Sequence, residues 1–451
     1  MRPLFLLLLI PALAGLAIGQ DTIWTRLSGQ GGLSRAAAVR CAGTDVFVTG
    51  LDRDTALGRS TVYVVRYDGE GNQMWNRTLN LAPYETGGRL ATGPDGQPYV
   101  SLMSGRANPV AVLTKLNVIG DTTWTLALPG LALGPLLADQ SNNCCVLAQR
   151  SLAPPDDTLL FLCFRPDRSE SLHVPIPLLE VERLAGLCRT AAGNYVAAVS
   201  VAGGHPSALL VKLTGEGIPL WTVPVPDSVG SSALAVAARG ADDCYLLAQG
   251  PRGVMLAGAG PGGNIEWVCP VGGGGAAADV GTDQAGNGYV VSGEDDCRID
   301  KFSPAGALIR SFKGGTALVD LPVALALGHD DNPVVAATAQ DVSGTTQVLA
   351  AKFQNVPVGI FGPESSRPGG RLLGSIRTDG RLELEVSEPG EYRVKVFDAH
   401  GRMMTSSAAK SQGGRLSFGL PGLPGGVYFA HVSGPIESRH KLVCGPARRL
   451  P

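Results

Sequence analysis

Short runs of alternating apolar and polar residues fill most of the chain, and each run stops at a turn rich in Gly, Asn or Asp. Tyr63-Val-Val-Arg-Tyr67 leads into Asp68-Gly-Glu-Gly-Asn72 and then Trp75. The plan returns as Leu113-Thr-Lys-Leu-Asn-Val-Ile-Gly-Asp-Thr-Thr-Trp124 and as Leu210-Val-Lys-Leu-Thr-Gly-Glu-Gly-Ile-Pro-Leu-Trp221, and more loosely around Gly263 and Trp267. Alternation with a period of two marks half-buried strands, and the glycine turns mark hairpins. Asp68-Gly-Glu-Gly-Asn72 has some likeness to a calcium loop but lacks the closing glutamate, so a hairpin turn is expected.

The tryptophans keep time. Trp24, Trp75, Trp124, Trp221 and Trp267 are separated by 51, 49, 97 and 46 residues, and the longest interval is two periods. The skipped slot falls near His173, in Ser171-Leu-His-Val-Pro-Ile176, and a degenerate one near Arg310, four residues after Gly306. That makes seven slots. Most intervals open with a small-residue strand such as Arg35-Ala-Ala-Ala-Val39 or Ser232-Ala-Leu-Ala-Val-Ala-Ala238. A second strand often starts with an aromatic: Phe47, Tyr99, Tyr195, Tyr245 or Tyr289. The third ends in a basic–apolar pair such as Arg66-Tyr67, Lys115-Leu116, Lys212-Leu213, Lys301-Phe302 or Lys352-Phe353. The tryptophan strand is fourth.

Four strands in a period of about 48 residues predict the blades of a β-propeller. Small residues suit the first strand, where blades converge on the axis. The tryptophans suit the outermost strand, and their rings are expected to be buried between neighbouring blades. The array begins with a tryptophan strand, 22–27, and ends with a third strand, 346–353. The first strand is therefore expected to complete the last blade and cover its edge. The expected class is all-β, a seven-bladed β-propeller over residues 20–360 followed by a small Ig-like β-sandwich. The propeller part resembles the secreted bacterial β-propeller repeat family and the tryptophan-docked blades of quinoprotein-type propellers. The quinone-binding residues of the latter have no counterpart here, so no catalytic residue and no cofactor is carried over.

Residues 361–370 form a linker, and a pattern without the repeat follows. Arg381-Leu-Glu-Leu-Glu-Val386 and Tyr392-Arg-Val-Lys-Val-Phe397 alternate strictly, and Asp398-Ala-His-Gly401 makes a hairpin turn. With 415–420, 426–432, 440–443 and a weak strand near Arg371, six strands are expected over 371–451, a small β-sandwich. The order Val394-Lys-Val-Phe-Asp398, Gly401-Arg402, Leu420, Leu423-Pro424, Gly426-Val427-Tyr428 and Lys441-Leu-Val443 resembles the type A C-terminal sorting domain of the type IX secretion system of Gram-negative bacteria. Cys444, where an aliphatic residue is usual, and the extension 445–451 depart from that pattern. The resemblance implies that the segment routes the protein across the outer membrane, with the secretion machinery as partner.

The start of the chain fits export. Arg2 precedes an apolar run from Leu4 to Ile10, and Ala17-Ile18-Gly19 offers a cleavage site, so residues 1–19 read as a signal peptide and the mature protein is expected to start near Gln20. The run is short for a membrane span. The nine cysteines lack paired spacing, which argues against zinc and for small core residues. One disulfide is expected, Cys144 or Cys145 with Cys163. Net charge is −2, which gives no electrostatic case for nucleic acid.

No phosphate-binding loop, HExxH or Gly-x-Ser-x-Gly is present. The acidic pairs Asp156-Asp157, Asp242-Asp243, Asp295-Asp296 and Asp330-Asp331 suit turns better than calcium. On the innermost strands Arg183 and Asp279 stand out, without being expected to form a set. The expected function is a secreted or surface-displayed scaffold that binds an unidentified surface protein or glycan. An exported lyase or hydrolase with its site at the central channel is the alternative.

Overall fold

The computed structural model describes residues 22–355 except 30–32, 107–108, 151–157, 179, 203–206, 226–230, 252, 273–275, 294–296, 315, 317–318 and 342, and then 371–372, 381–386, 389–398, 403–412, 414–419, 426–433 and 438–444. The expected signal peptide and the linker lie outside the described residues, as do Asp156, Asp157, Asp295, Asp296, Gly401, Arg402 and Leu420. The chain divides into two compact units, Met1–Val356 and Pro357–Pro451. Every element among the described residues is a strand.

In the first unit, β1 (Thr22–Ser28) precedes β2 (Leu33–Ala42), β3 (Asp45–Asp54), β4 (Arg59–Tyr67) and β5 (Gln73–Thr78). Five four-stranded sheets follow, each in sequence order. They are β6 (Glu85–Thr92) to β9 (Thr122–Leu128) through β7 (Pro98–Ser104) and β8 (Val110–Leu116); then β10 (Leu131–Ala138), β11 (Cys144–Arg150), β12 (Thr158–Phe164) and β13 (Glu170–Ile176). The third is β14 (Val181–Arg189), β15 (Tyr195–Val201), β16 (Ser207–Leu213) and β17 (Pro219–Pro224). The fourth is β18 (Ser232–Arg239), β19 (Asp243–Gly250), β20 (Gly253–Ala259) and β21 (Ile265–Pro270), and the fifth is β22 (Ala276–Thr282), β23 (Gly288–Gly293), β24 (Cys297–Phe302) and β25 (Leu308–Gly314). Last come β26 (Val319–Leu327), β27 (Pro333–Gln340) and β28 (Thr346–Phe353).

These three are joined by β1, which runs antiparallel to β28 with Trp24 opposite Lys352. A single parallel pair, Leu33 with Thr346, links this four-stranded set to β2–β5. The first strands pack in cyclic order, β2 on β6, β6 on β10, β10 on β14, β14 on β18, β18 on β22, β22 on β26 and β26 on β2. Small residues permit that approach: Ala38, Ala91, Ala185, Ala235, Ala277 and Ala324 are buried on these strands. The register of the first strands slips once or twice, between Ala36 and Ala38, Gly87 and Arg89, and Ala277 and Asp279 among others. Such bulges twist a strand and re-aim the side chains beside them.

The core lies between sheets, in clusters of Val, Leu, Ala and aromatic residues drawn from neighbours. One gathers Val48, Tyr63 and Val65 with Ala336 and Val348. Cys145 and Cys163 stand opposite each other on β11 and β12 and form a disulfide.

The second unit holds β29 (Arg371–Leu372), β30 (Arg381–Val386), β31 (Gly390–Asp398), β32 (Met403–Ser411), β33 (Gly414–Gly419), β34 (Gly426–Ser433) and β35 (Ser438–Cys444). They form a three-stranded sheet, β29-β30-β33, and a four-stranded one, β32-β31-β34-β35. Tyr392, Val394 and Val396 are buried while Glu391, Arg393 and Lys395 are exposed, the alternation that the sequence carries. The expected count of six strands omits β32. It is an edge strand that opens with Met403 and Met404 and continues in Ser, Ala, Thr and Lys, with no apolar alternation to betray it.

Candidate functional site

On the outer rim one contact recurs. Each tryptophan Nε1 donates to a backbone carbonyl in the turn between the third and fourth strands of the next sheet. Trp24 reaches Gly69 at 3.1 Å, Trp75 reaches Val118 at 2.9 Å, and Trp124 reaches Pro166 at 2.8 Å. Trp221 reaches Pro261 at 3.0 Å and Trp267 reaches Pro304 at 3.1 Å. For every tryptophan but Trp124, the ring lies on a glycine of that turn. A Cβ on Gly71 would sit 2.7 Å from the Trp24 ring, and one on Gly120 would sit 2.9 Å from that of Trp75. Both glycines also hold left-handed φ, at 80° and 88°. Gly71, Gly120 and Gly263, which precede Trp75, Trp124 and Trp267 in sequence, thus serve the tryptophan of the preceding sheet.

One expectation needs correction here. Only Trp24 is buried, at 4% exposure; Trp75, Trp124, Trp221 and Trp267 are half-buried. Their strands are outer edges, so one face of the ring packs while its rim meets water. The skipped slot is Leu172, one residue before His173. In every sheet the slot residue stands opposite the last residue before the bulge of the third strand, and Leu172 stands opposite Cys163 in that position. Arg310, opposite Lys301, fills the other slot.

The inner rim is chemically different. Arg40, Arg89, Arg183 and Asp279 come from β2, β6, β14 and β22. Arg89 and Asp279 each follow directly on the bulge of their strand, and the bulge carbonyl of Gly88 accepts a hydrogen bond from Thr49 Oγ1 of the preceding sheet. Arg89 and Arg183 are exposed although they lie on innermost strands, so the axis is open to water. Desolvation, with Arg183 and Arg40 nearby, lowers the Arg89 pKa, and Asp279 partly opposes this. An arginine remains charged under such a shift. Asp279 accepts from Val280 N at 2.9 Å and, across to the next sheet, from Leu325 N at 3.0 Å. Burial nevertheless raises its pKa, against the pull of Arg40, those two bonds and Arg89. Among the described residues no hydrogen bond or ion pair joins Arg183 to Asp279, and each acts on Arg89 between them. Both belong to one electrostatic group, bridged by Arg40 and Arg89, which sequence reasoning missed. The available signal was an arginine inside a run of Ala, Gly and Val, as in Ala36-Ala-Ala-Val-Arg40 and Gly87-Gly-Arg89.

No family model matches the chain, and no curated protein matches it. Solved structures do. A streptogramin B lyase structure is similar over 73% of this chain and 98% of its own, at 10% identity and a TM-score of 0.52. Virginiamycin B lyase from Staphylococcus aureus with quinupristin is similar over 72% and 99%, at 9% identity and 0.49. The propeller domain of the trilobed protease from Pyrococcus furiosus is similar over 74% and 100%, at 10% identity and 0.48. The structures it is similar to are β-propeller proteins. The fold is a β-propeller. At such identity the likeness reaches the fold and nothing finer.

At one end of the propeller's first strands lies a groove of ≈ 370 Å³, lined by Cys41, Thr282, Gln284, Leu327 and His329 among others. Its polar groups already serve the fold. Gln284 donates to Asp331 Oδ1 through its backbone N–H and to the His329 carbonyl through Nε2. Asp283 accepts from Asn287 and from Tyr289, and pairs with Lys301 at 3.0 Å. Burial pushes the Cys41 thiol up to about 12, so it is no thiolate at neutral pH. Of the acidic pairs, Asp242 binds Thr190, Asn194 and Lys212, Asp243 pairs with Arg239, and Asp330 pairs with Lys352. Asp68 closes its hairpin by accepting from the backbone of Glu70 and Asn72. Among the described residues no group of three or more His, Cys, Asp or Glu is placed to hold a metal ion.

In the second unit Asp398 ends β31 opposite Tyr428 of β34. On β34, Gly426, Val427 and Tyr428 face Cys444, Val443 and Leu442 of β35, and Lys441 stands opposite Phe429. The described part of the motif therefore gathers on three adjacent strands of one sheet.

Proposed function

We propose that this protein is an exported binding scaffold: a seven-bladed propeller that displays a ligand site on its axis, followed by a small β-sandwich that acts as a type A sorting domain. The observation that carries the binding reading is the charged axial group. Seven first strands pack in a closed cycle, and such packing has no use for arginines that are exposed and have no ion pair among the described residues, as Arg89 and Arg183 are. Placing like charges together costs energy that a ligand of opposite sign would repay. The sorting role is supported by the motif's order and by its gathering on β31, β34 and β35. It puts the mature protein at the outer surface of a Gram-negative cell or in the medium, with the type IX machinery as its export partner.

The binding arm is tested by exposing the purified protein to a panel of cell-surface glycans and polymers. Saturable binding to a member of the panel is the expected result, and indifference to all of them counts against the scaffold. Turnover of a bound member would move the reading to an exported lyase or hydrolase. The export arm is tested by fusing residues 371–451 to an unrelated periplasmic protein, which should reach the surface or the medium. Full export of a chain lacking 371–451 would reduce the unit to an accessory module.

A further inference from the structure

We propose that the propeller axis binds a multivalent oxyanion, a phosphate or sulfate group, through Arg40, Arg89 and Arg183. The inference rests on the binding reading above and gives it a ligand class. The three arginines come from β2, β6 and β14, and β14 is separated from β2 by two sheets in one direction and three in the other. Arg40 and Arg89 therefore come from adjacent sheets, and Arg183 reaches the axis from farther round the ring. Among the described residues none of the three has a carboxylate ion pair or an aromatic ring beneath it. Arg40 donates through Nη1 to the carbonyl of its neighbour Val39 at 2.8 Å. Neither packing nor pairing within the fold accounts for them.

Asp279 is a poor counter-ion for the group. Its two oxygens are engaged by the N–H groups of Val280 and Leu325, and it offsets at most one of the three positive charges. The axis is thus net positive in a chain whose net charge is −2. The strands that carry the arginines are otherwise packed through apolar residues, with Ala38, Leu90, Ala91 and Ala185 buried on them. Apolar surroundings focus the field and raise the attraction for an anion. The count of donors selects the anion. A carboxylate presents two oxygens and is satisfied by one guanidinium fork, whereas forks from three directions suit a tetrahedral group with three or more acceptor oxygens.

The test uses the full mature chain in calorimetry and thermal melts with pyrophosphate, phosphate, sulfate and acetate, at fixed ionic strength against chloride. Pyrophosphate, phosphate and sulfate are expected to bind and stabilise, and acetate to match chloride. Arg89→Gln and Arg183→Gln should each weaken binding by about tenfold or more, the loss of one charge-assisted contact. Lys313→Gln, on the exposed outer strand β25, should leave binding unchanged. Without ligand, Arg89→Gln should melt at or above the parent, because removing it relieves repulsion by Arg40 and Arg183. If that variant misfolds, Arg183→Gln and Arg40→Gln carry the same reading. A sulfated or phosphorylated polymer that displaces pyrophosphate identifies a polymer-borne group; no displacement identifies the free anion. Equal affinity in parent and arginine variants, or acetate binding as well as sulfate, overturns the proposal. A glycan that binds both arginine variants undiminished removes the axial site but leaves the scaffold standing.

Discussion

The neighbouring blades β6–β9 and β10–β13 share strand order and register but are tied differently. In the first, Tyr99, Lys115 and Trp124 stand in line across three strands. The Lys115 ammonium lies 5.0 Å from the Tyr99 ring centre and pairs with Asp95 at 3.5 Å. In the second, the same line reads Cys145, Cys163 and Leu172, and a disulfide replaces the cation–ring contact. The change propagates. Where Gly71, Gly120, Gly263 and Gly306 face a tryptophan of the preceding blade, Gly217 faces Phe161 and Val174. Blade β18–β21 offers a third solution. Gly258 takes the cation's slot, which lets the Trp267 ring move in, and Arg239 arrives from β18 to lie over Tyr245 and Trp267. The position demands filling; the chemistry that fills it is exchangeable.

The largest expected effect follows from the aromatic solution. Trp124→Ala removes a half-buried ring and its bond to Pro166, and should cost about 3–4 kcal/mol in urea unfolding. A variant that unfolds like the parent would show that the rim ties contribute nothing to the ring. The sulfur solution should be worth slightly less. The bridge spans 18 residues, for which removing it through Cys145→Ser with Cys163→Ser should cost about 3 kcal/mol. If the double variant and the parent melt together under oxidising conditions, Leu172 and its neighbours hold that blade without the bridge.

The line of three was half legible in the sequence. The tryptophan period, the glycine before each ring and the basic residue of the third strand are local signals, repeated often enough to read. The cysteine pair was open between Cys144 and Cys145, because register decides it and register is not local. For the same reason the sequence places the skipped slot only near His173, and the bulge before Phe164 fixes it at Leu172. The axial group was the least legible. Arg40, Arg89, Arg183 and Asp279 are scattered over most of the propeller's length, and only closure of the ring brings them together. Strand β32 was missed because an exposed edge carries no hydrophobic period.

A smaller effect separates two blades that both keep the lysine. Lys115 pairs with Asp95 in its own blade, but Lys212, 1% exposed, reaches Asp242 in the next one at 2.6 Å. The turn Thr190-Ala-Ala-Gly-Asn194 supplies no acid of its own, and Asp242 also accepts from Thr190 and Asn194. Asp242→Asn should therefore cost about 2 kcal/mol at neutral pH, since Lys212 keeps only carbonyl partners. Burial alone would raise the Asp242 pKa, but the bonds from Lys212, Asn194 and Thr190 outweigh it and the pKa falls. A depressed folded pKa gives stability that is present above the unfolded value, about 3.9, and lost as pH falls through the folded one. The parent should lose its advantage over Asp242→Asn in that acid window, and a gap that stays constant down to the lowest pH would exclude the charge as its cause.

The smallest expected effect has the opposite sign. Trp124 docks on the only one of the tryptophan-receiving turns in which the left-handed residue is not glycine. Arg168 takes φ 76° there, and its N–H donates to the Arg165 carbonyl as Gly120 donates to Asn117 in the turn before. A side chain in that region costs about 1–2 kcal/mol, and glycine would recover it less the extra freedom of the unfolded chain. Arg168→Gly should therefore stabilise the protein by about 0.5–1 kcal/mol, read as a higher midpoint in urea with an unchanged slope. The reciprocal change, Gly120→Ala, puts a Cβ 2.9 Å from the Trp75 ring at φ 88° and must destabilise. Should Arg168→Gly instead weaken the protein, its exposed side chain contributes to the Trp124 dock, and the blade that lost its own tryptophan has compensated by gripping its neighbour's.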